Sequence, residues 1–446
     1  MTVHTTLTSP NTRAPSGFRD LPDRPVIVTL LSICLFLRMF IPNQILDLFE
    51  HYTSLGGSDA EKIHPAAAIL LLLAAAAVFF LDYPKTPRNR AIAKGCWLAI
   101  AAIVAVSILG LATGRTQGFS YLIDSILLGP GLCLFMLRMN DRDKYKIVHF
   151  LIICLALNAL VLFPEFILKR RVLPYDFEEA SFRPTAFLGH PLINGLVCAV
   201  AIPFVWVTRW NAGVKFFLTF FFVAACFVAQ ARMASVFSVL AAVISIWVFL
   251  AQSVRKRKID EGTLIVAAVA TLTLLISAIA VIVFSGLAER LVSSGLNDSS
   301  SQARFVIYGI FNYMSHTQLL FGMPRKLAEY IIENSLKLPR SESSIVDYVI
   351  QFGIVGTAVI VSALLYFYWQ VIKTARSTFV AIGVAVFIGV AATNNTFSSK
   401  GAHSVIIAAL CMGSLGAQQF AGSRRRTVTP RAAYRLAPNQ RARGVA

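Results

Sequence analysis

Long apolar runs separated by short polar stretches make up the chain from residue 25 to residue 420. A membrane-spanning helix needs about 20 consecutive apolar residues, and twelve stretches meet or approach that length. The predicted spans are roughly 25–46, 64–82, 95–113, 118–138, 147–167, 188–208, 213–230, 233–251, 263–284, 343–369, 376–393 and 402–420. Only Gln230, Ala231 and Arg232 separate the seventh span from the eighth, so these two form either a tight hairpin or one bent element. The pattern predicts an all-α polytopic membrane protein of about twelve transmembrane helices.

The amino-acid composition excludes several classes of protein. The 446 residues are 57% hydrophobic and 14% charged, whereas an average soluble domain has about 25% charged residues. So few polar residues cannot cover a soluble globule of this size, which excludes a soluble enzyme, a disordered chain and a collagen-like fibre. The seven cysteines stand singly in apolar runs, and we expect them to be buried hydrophobes rather than disulfide or zinc ligands.

The distribution of Lys and Arg predicts the orientation. If the N-terminus is cytoplasmic, 26 of the 41 Lys and Arg residues fall on the cytoplasmic side and 14 on the outer side. The remaining one, Arg38, lies inside the first span. The positive-inside rule therefore places both termini in the cytoplasm. The predicted parts are an N-terminal tail (1–24), a transmembrane domain (25–420) and a basic tail (421–446), which we expect to be disordered and attracted to anionic lipid. The tail has no aromatic residues for base stacking beyond one Tyr and no folded module, so nucleic acid is not an expected partner.

Two loops on the predicted outer side stand out, at 168–187 and 285–342. The second is the longest connection in the chain and is more polar than its surroundings. Within it, 323–338 places apolar side chains at helical spacing. That spacing predicts an amphipathic helix on or near the membrane surface.

Cations collect on this outer face against the positive-inside trend. They are Lys169, Arg170, Arg171, Arg183, Arg232, Arg290 and Arg304. A cation beside hydrocarbon usually meets an anion or a water-filled cavity, and a guanidinium group binds phosphate through two parallel hydrogen bonds. Together, these outer cations would form a site for a phosphorylated ligand that approaches from the lipid. In the alternative interpretation, the 169–171 triplet snorkels to head groups and Arg232 only reaches water from a hairpin.

Other polar residues lie at or near membrane depth. Arg38, Asp124, Asn158 and Glu165 interrupt apolar runs, and we expect them to pair with one another across helices.

Four outer segments resemble the signatures of the O-antigen ligase and polysaccharide polymerase superfamily. They run over 183–195, 230–235, 301–324 and 342–356, in the order of that family's motifs. The number of spans and the long outer loop late in the chain also match. There are departures: Glu342 stands where ligases carry His, Ser343 stands where Asn follows it, and the Trp expected near Arg304 is absent. These departures favour a polymerase over a ligase.

The resemblance implies an activity at the periplasmic face of the bacterial inner membrane. Family members transfer a glycan from a polyprenyl diphosphate carrier to an acceptor hydroxyl. For this chain it implies a polymerase of an exopolysaccharide or O-antigen-like polysaccharide, with an acceptor glycan as second substrate and chain-length regulators and export proteins as partners. An O-antigen ligase acting on lipid A-core is the alternative within the enzyme class. A polysaccharide flippase is the other alternative, favoured by Gly129-Pro130-Gly131 in the fourth span.

Such a transfer makes the carrier diphosphate more negative as the anomeric C–O bond breaks, so fixed cations must face it. The candidate contacts are Arg171, Arg183, Arg232 and Arg304. A divalent metal would need clustered carboxylates, and the nearest approach to such a cluster is Asp176, Glu178 and Glu179, mixed among arginines. We therefore expect a metal-free site without a cofactor.

The attacking hydroxyl also needs a proton acceptor. Glu342 is the first candidate and His190 the second, while Asp347 could replace or orient Glu342. Each has a structural alternative, because an acid can complement a helix N-terminus and a Gly-His-Pro turn can use its His as a cap.

Overall fold

The computed structural model describes residues 25–53, 61–113, 119–175, 182–255, 262, 265, 267–273, 276, 303, 305–338, 341 and 343–427. All regular elements in these ranges are helical. The main helices are α1 (Pro25–Phe40), α2 (Pro65–Phe80), α3 (Pro87–Ala112), α4 (Leu128–Met136), α5 (Asp141–Leu168), α6 (Pro191–Val205), α7 (Ala212–Val228), α8 (Arg232–Arg255), α9 (His316–Phe321), α10 (Arg325–Asn334), α11 (Ser344–Ala375), α12 (Thr378–Ala392) and α13 (His403–Thr427).

The helices have the lengths and surfaces of membrane spans. α3, α5, α8 and α11 are long and apolar enough to cross a membrane, and α1, α2, α6, α7, α12, the 122–136 segment and the first part of α13 are shorter apolar helices. Large apolar side chains cover the outside of the bundle; Phe79 is 80% exposed and Leu72 is 70% exposed. Because soluble proteins do not expose apolar surface on this scale, the prediction of an all-α multi-pass membrane protein is confirmed. The count of twelve stays a prediction, and most of the predicted 263–284 span lies outside the described residues.

Sequence signals explain where several helices begin. α2, α3 and α6 each start with a proline, preceded by a side chain that accepts a hydrogen bond from the first turn: His64, Thr86 and His190. Proline suits the first helical position because its fixed φ matches the helix and its missing N–H is not needed there. α7 ends at Val228 and α8 begins at Arg232, so the hairpin is the correct alternative for this junction.

Small residues bring the helices together. A Cβ on Gly413 of α13 would lie 2.2 Å from Val148 Cγ2 of α5, and one on Gly416 would lie 2.5 Å from the Asp141 carbonyl oxygen. In membranes, such positions allow close backbone approach and hence van der Waals packing. α13 continues to Thr427, past residue 420, where the sequence predicted the tail to begin.

The 122–136 segment does not break at Gly129-Pro130-Gly131. α4 runs through this triplet as a helix, and the turn before it, Leu122–Leu127, is a π-helix. The widened turn lies directly upstream of Pro130, whose ring does not fit regular α-helical geometry. A Cβ on Gly129 would lie 3.2 Å from the Ser404 carbonyl oxygen. The triplet therefore serves packing against α13, and the flippase-like break that it suggested is absent from this described segment.

Contacts between loops define one side of the bundle. The ends at 41–64, 119–127, 169–190, 229–231 and 393–402 bond to one another. We call this side the motif face, because the segments that carry the family resemblance reach it.

An outer layer of short helices covers part of the motif face. It consists of a 3-10 helix (Ile307–Tyr313), α9 and α10. The predicted amphipathic helix is present as α10, but its buried side chains, among them Ile331 and Ile332, pack against Val346 and Ile350 of α11. Its buried apolar side chains therefore pack on the protein, and its predicted position on or near the membrane surface stays a prediction.

A backbone seam joins this layer to α11. The Met323 N–H donates to the Ile350 carbonyl at 2.7 Å. Gly353 interrupts α11 with φ +69°, and Gly322 faces it with φ +93°. A Cβ on Gly353 would lie 2.1 Å from the Leu320 carbonyl oxygen, so only glycine fits. Two of the four resembling segments meet at this seam.

Candidate functional site

A buried carboxylate fixes the loop between α5 and α6. Glu165, which is 2% exposed, accepts backbone N–H groups of Val172 at 2.7 Å, Thr185 at 2.8 Å and Ala186 at 2.9 Å. Hydrogen bonds to a carboxylate are stronger than those between neutral groups. Glu165 thus orders both ends of the segment that carries Arg171 and Arg183.

Two buried asparagines fix the same loop from the side of α6. Asn158 Nδ2 donates to Asn194 Oδ1 at 2.6 Å, while Asn158 Oδ1 accepts the Phe187 N–H at 3.1 Å. Asn194 Nδ2 donates to the Thr185 carbonyl at 2.5 Å. Arg38, Asp124, Asn158 and Glu165 were expected to pair with one another across helices. Asn158 pairs across helices with Asn194 instead, and Glu165 binds backbone N–H groups of the loop.

The structure brings Arg183 to the turn that leads into Arg232. Arg183 Nη2 donates to the Gln230 carbonyl at 3.5 Å, and Gln230 has φ +53°, in the left-handed region. Gly195 allows this approach, because a Cβ there would lie 2.4 Å from Ala231 Cβ. Arg183 therefore contacts the backbone of the turn that immediately precedes Arg232, 49 positions along the chain.

Arg171 also contacts Arg183. Its Nε donates to the Arg183 carbonyl at 3.1 Å. Its guanidinium group lies between two rings, 4.2 Å from the Tyr175 centroid and 5.0 Å from that of Phe182. Cation–π contact with both rings holds Arg171 in one orientation. We call Arg171, Arg183 and Arg232 the arginine site.

The arginine site borders apolar surface. Beside Arg171, Ile167 is 74% exposed and Val172 is 58% exposed; beside Arg232, Met233 and Val236 are exposed as well. Cations next to lipid-facing side chains are suited to a ligand with a charged head and an apolar tail.

A second polar group lies further along the motif face. Arg38 and Asp124 form a buried ion pair at 3.2 Å, as expected, and the Tyr52 hydroxyl also donates to Asp124. Lys400 Nζ donates to the carbonyls of Tyr52 at 2.5 Å and Lys62 at 2.8 Å. Burial lowers the pKa of Lys400 from 10.5 to about 8.

Short contacts connect this group to the arginine site. Gln44 Nε2 donates to the Gly189 carbonyl at 2.6 Å, and the neighbouring Asn43 donates through Nδ2 to the Lys400 carbonyl at 3.3 Å. On the other side of Lys400, the Ser398 hydroxyl donates to Asp347 Oδ2 at 2.5 Å. Hydrogen bonds of Gln44 and Asn43 therefore join the 183–190 loop to the Lys400 segment, and Ser398 of that segment bonds to Asp347.

His190 acts as the N-cap of α6. Its Nδ1 accepts the Leu192 N–H at 3.2 Å, so the proton of the neutral ring lies on Nε2. To accept a further proton, the ring would have to release this helix cap. That geometry weighs against a role for His190 as a base.

The remaining predicted site residues, Arg304 and Glu342, lie outside the described residues, as do Asp176, Glu178 and Glu179. In the part of the chain that the structure describes, no three His, Cys, Asp or Glu side chains group as metal ligands. Sequence reasoning missed Lys400 and Ser398. Their signal was the polar run at 393–400, a stretch of Asn, Ser and Thr between two apolar helices.

No protein-family model matches this chain, and no curated protein is significantly similar to it in sequence. The resemblance to the O-antigen ligase and polymerase superfamily therefore stays a prediction based on the four segments.

Proposed function

We propose that this protein is a polysaccharide polymerase of the bacterial inner membrane, with about twelve spans and both termini in the cytoplasm. It transfers a glycan from a polyprenyl diphosphate carrier to the hydroxyl of an acceptor sugar on the periplasmic side. The product is an exopolysaccharide or an O-antigen-like surface polysaccharide. The observation that carries this proposal is the joining of Arg171, Arg183 and the turn of Arg232 beside lipid-exposed side chains.

The arginine site suits a lipid diphosphate for two reasons. Planar guanidinium groups bind phosphate oxygens through paired hydrogen bonds, and the apolar surface beside Arg171 and Arg232 suits the polyprenyl chain. Negative charge grows on the diphosphate as the anomeric C–O bond breaks, so cations that are already oriented lower the barrier to transfer. Glu165 and the rings around Arg171 supply that orientation.

Guanidinium groups take the place of a metal in this proposal, and Arg304 would complete the set. The proton acceptor is a carboxylate, with Glu342 as the candidate from sequence. His190 is disfavoured because its Nδ1 holds the helix cap.

The test is reconstitution of the purified protein in vesicles with polyprenyl diphosphate-linked repeat units and without an ion gradient. The wild type should produce a ladder of polymer lengths. Arg183→Ala, Arg232→Ala and Arg304→Ala should each lower polymer formation by about 10²-fold or more, since each removes transition-state charge stabilisation. Lys326→Ala is the matched control, because Lys326 is an exposed cation of the outer layer.

The outcomes separate the rival functions. Product that forms only when lipid A-core is supplied would indicate a ligase. Carrier movement across the bilayer without any new glycosidic bond would indicate a flippase. Wild-type polymer levels in the Arg183 and Arg232 variants would exclude the arginine site as the donor site.

A further inference from the structure

Asp347 lies where several elements of the motif face meet. It is half-buried in the first turn of α11. Ser398, from the 3-10 helix between α12 and α13, donates its hydroxyl to Asp347 Oδ2 at 2.5 Å. Ser341 and the Arg325 guanidinium of α10, whose Nε donates to Glu329 at 2.7 Å, also lie near this carboxylate. Three separate segments therefore converge on this one side chain.

Two stacked tyrosines, Tyr121 and Tyr348, form an aromatic base beside Asp347. The rings of Tyr121 and Tyr348 stack with centroids 6.1 Å apart, and both side chains are buried. Tyr121 donates its hydroxyl to Gln351 Oε1 at 2.8 Å, and Tyr348 donates to the Phe397 carbonyl at 2.9 Å. Asp347, Gln351 and Ser398, the polar side chains that bond to one another or to these tyrosines, are half-buried. A few fixed polar groups on an apolar base are typical of a site for a small polar ligand such as a sugar.

The Asp347 carboxylate is not the sole attachment of the 394–398 segment to α11. Ser344 also holds that segment, because its hydroxyl donates to the Asn394 carbonyl at 2.9 Å and accepts the Phe397 N–H at 3.1 Å. A half-buried carboxylate beside a segment that is held independently is a candidate for proton transfer.

We propose that Asp347 is the catalytic residue on the acceptor side of the polymerase, an inference that rests on the function proposed above. Its carboxylate takes the proton of the attacking sugar hydroxyl while that oxygen forms a bond to the anomeric carbon. The bond between the anomeric carbon and the diphosphate oxygen breaks, and its electron pair leaves with the diphosphate. Ser398 and Arg325 are positioning residues that hold the carboxylate in place.

The test compares Asp347→Asn with the wild type in the vesicle assay. Asn keeps the shape and can still accept the Ser398 hydroxyl, but it cannot take a proton. Polymer formation should fall about 10²- to 10⁴-fold, the range for loss of a general base, while binding of polyprenyl diphosphate stays at the wild-type level. Asp347→Glu, which keeps a carboxylate, should restore part of the activity. Glu333→Gln is the control, since Glu333 is an exposed acid of the same outer layer.

Three results would overturn this assignment. One is wild-type polymer formation by Asp347→Asn. Another is loss of polyprenyl diphosphate binding in both Asp347 variants, which would make the residue structural. The third is an inactive Glu342→Gln beside an active Asp347→Asn, which would give the role to Glu342. All three leave the polymerase function standing, whereas a wild type that neither binds the carrier nor makes polymer contradicts the function itself.

Discussion

Glu165, in the last turn of α5, accepts the backbone N–H of Thr185 at 2.8 Å. This bond joins the end of a helix to the loop that presents Arg183, and both oxygens of the carboxylate accept backbone N–H groups of that loop region. Glu165 therefore acts on the arginine site without belonging to it.

Glu165→Gln should destabilise the protein and weaken its activity. The amide nitrogen of Gln would face backbone N–H groups, from which it cannot accept a hydrogen bond. Each buried donor that is left without an acceptor costs about 1–3 kcal/mol. The midpoint of thermal unfolding in detergent should fall, and polymer formation should fall with it. Glu333→Gln is the control, because Glu333 is an exposed acid of the outer layer, where the loss of a charge costs about 1 kcal/mol or less. An unchanged midpoint for Glu165→Gln would contradict the role given to this residue.

Gly353→Ala should lower the yield of folded protein. Gly353 has φ +69° and ψ 177°, a conformation that costs a non-glycine residue roughly 1–3 kcal/mol. The added Cβ would also lie 2.1 Å from the Leu320 carbonyl oxygen. Size-exclusion chromatography of membrane extracts gives the measurement. Gly213→Ala is the matched control, since a Cβ there meets only Asn211 Oδ1, at 3.5 Å. Equal amounts of folded protein from the two variants would show that the backbone contact at Gly353 tolerates a methyl group.

His64 should make stability fall on acidification. Burial, followed by the nearby Arg38 cation, lowers its pKa from 6.5 to about 4, although the hydrogen bond to the Ile41 carbonyl partly opposes this. The neutral ring also accepts the Ala66 N–H through Nδ1, a bond that protonation of Nδ1 would break. Between pH 6.5 and 4 the unfolded chain binds a proton that the folded chain excludes. The contribution is therefore complete above pH 6.5 and is lost as the pH falls towards 4, with a total on the order of 3 kcal/mol.

Thermal unfolding measured across this pH range tests the effect. His64→Asn keeps a side chain that can cap α2 but cannot titrate, so its stability should vary less with pH than that of the wild type. If the unfolding midpoints of the two proteins change equally with pH, His64 is not the cause of the loss of stability in acid.

Cysteine labelling tests the orientation. All seven native cysteines are buried, so the wild type should react little with a membrane-impermeant maleimide. Ser335→Cys, on the exposed outer layer, should be labelled in intact spheroplasts. Arg142→Cys, at the opposite side of the bundle, should be labelled only after permeabilisation. The reverse pattern would place the motif face in the cytoplasm.

Hydropathy alone predicted most of the helices. The predicted 188–208 and 376–393 spans contain α6 (Pro191–Val205) and α12 (Thr378–Ala392). These elements are predictable because burial in lipid demands a continuous apolar run, and the run is visible in any single sequence.

Side-chain partners were less predictable, because helix packing decides them. Arg38 meets Asp124 across 86 positions, and that pairing agrees with the expectation from charge. Glu165 was expected to pair across helices as well, but backbone N–H groups of the adjoining loop lie nearer. The break in α11 was not predicted either, since the run at 343–369 stays apolar through Gly353 and hydropathy does not depend on φ.

The seam at Gly322 and Gly353 is made of main-chain atoms. Because carbonyl and amide groups form the junction, the side chains that point outward from the layer above it do not help to hold it in place. Substitution of those outward side chains would therefore leave the main-chain junction intact.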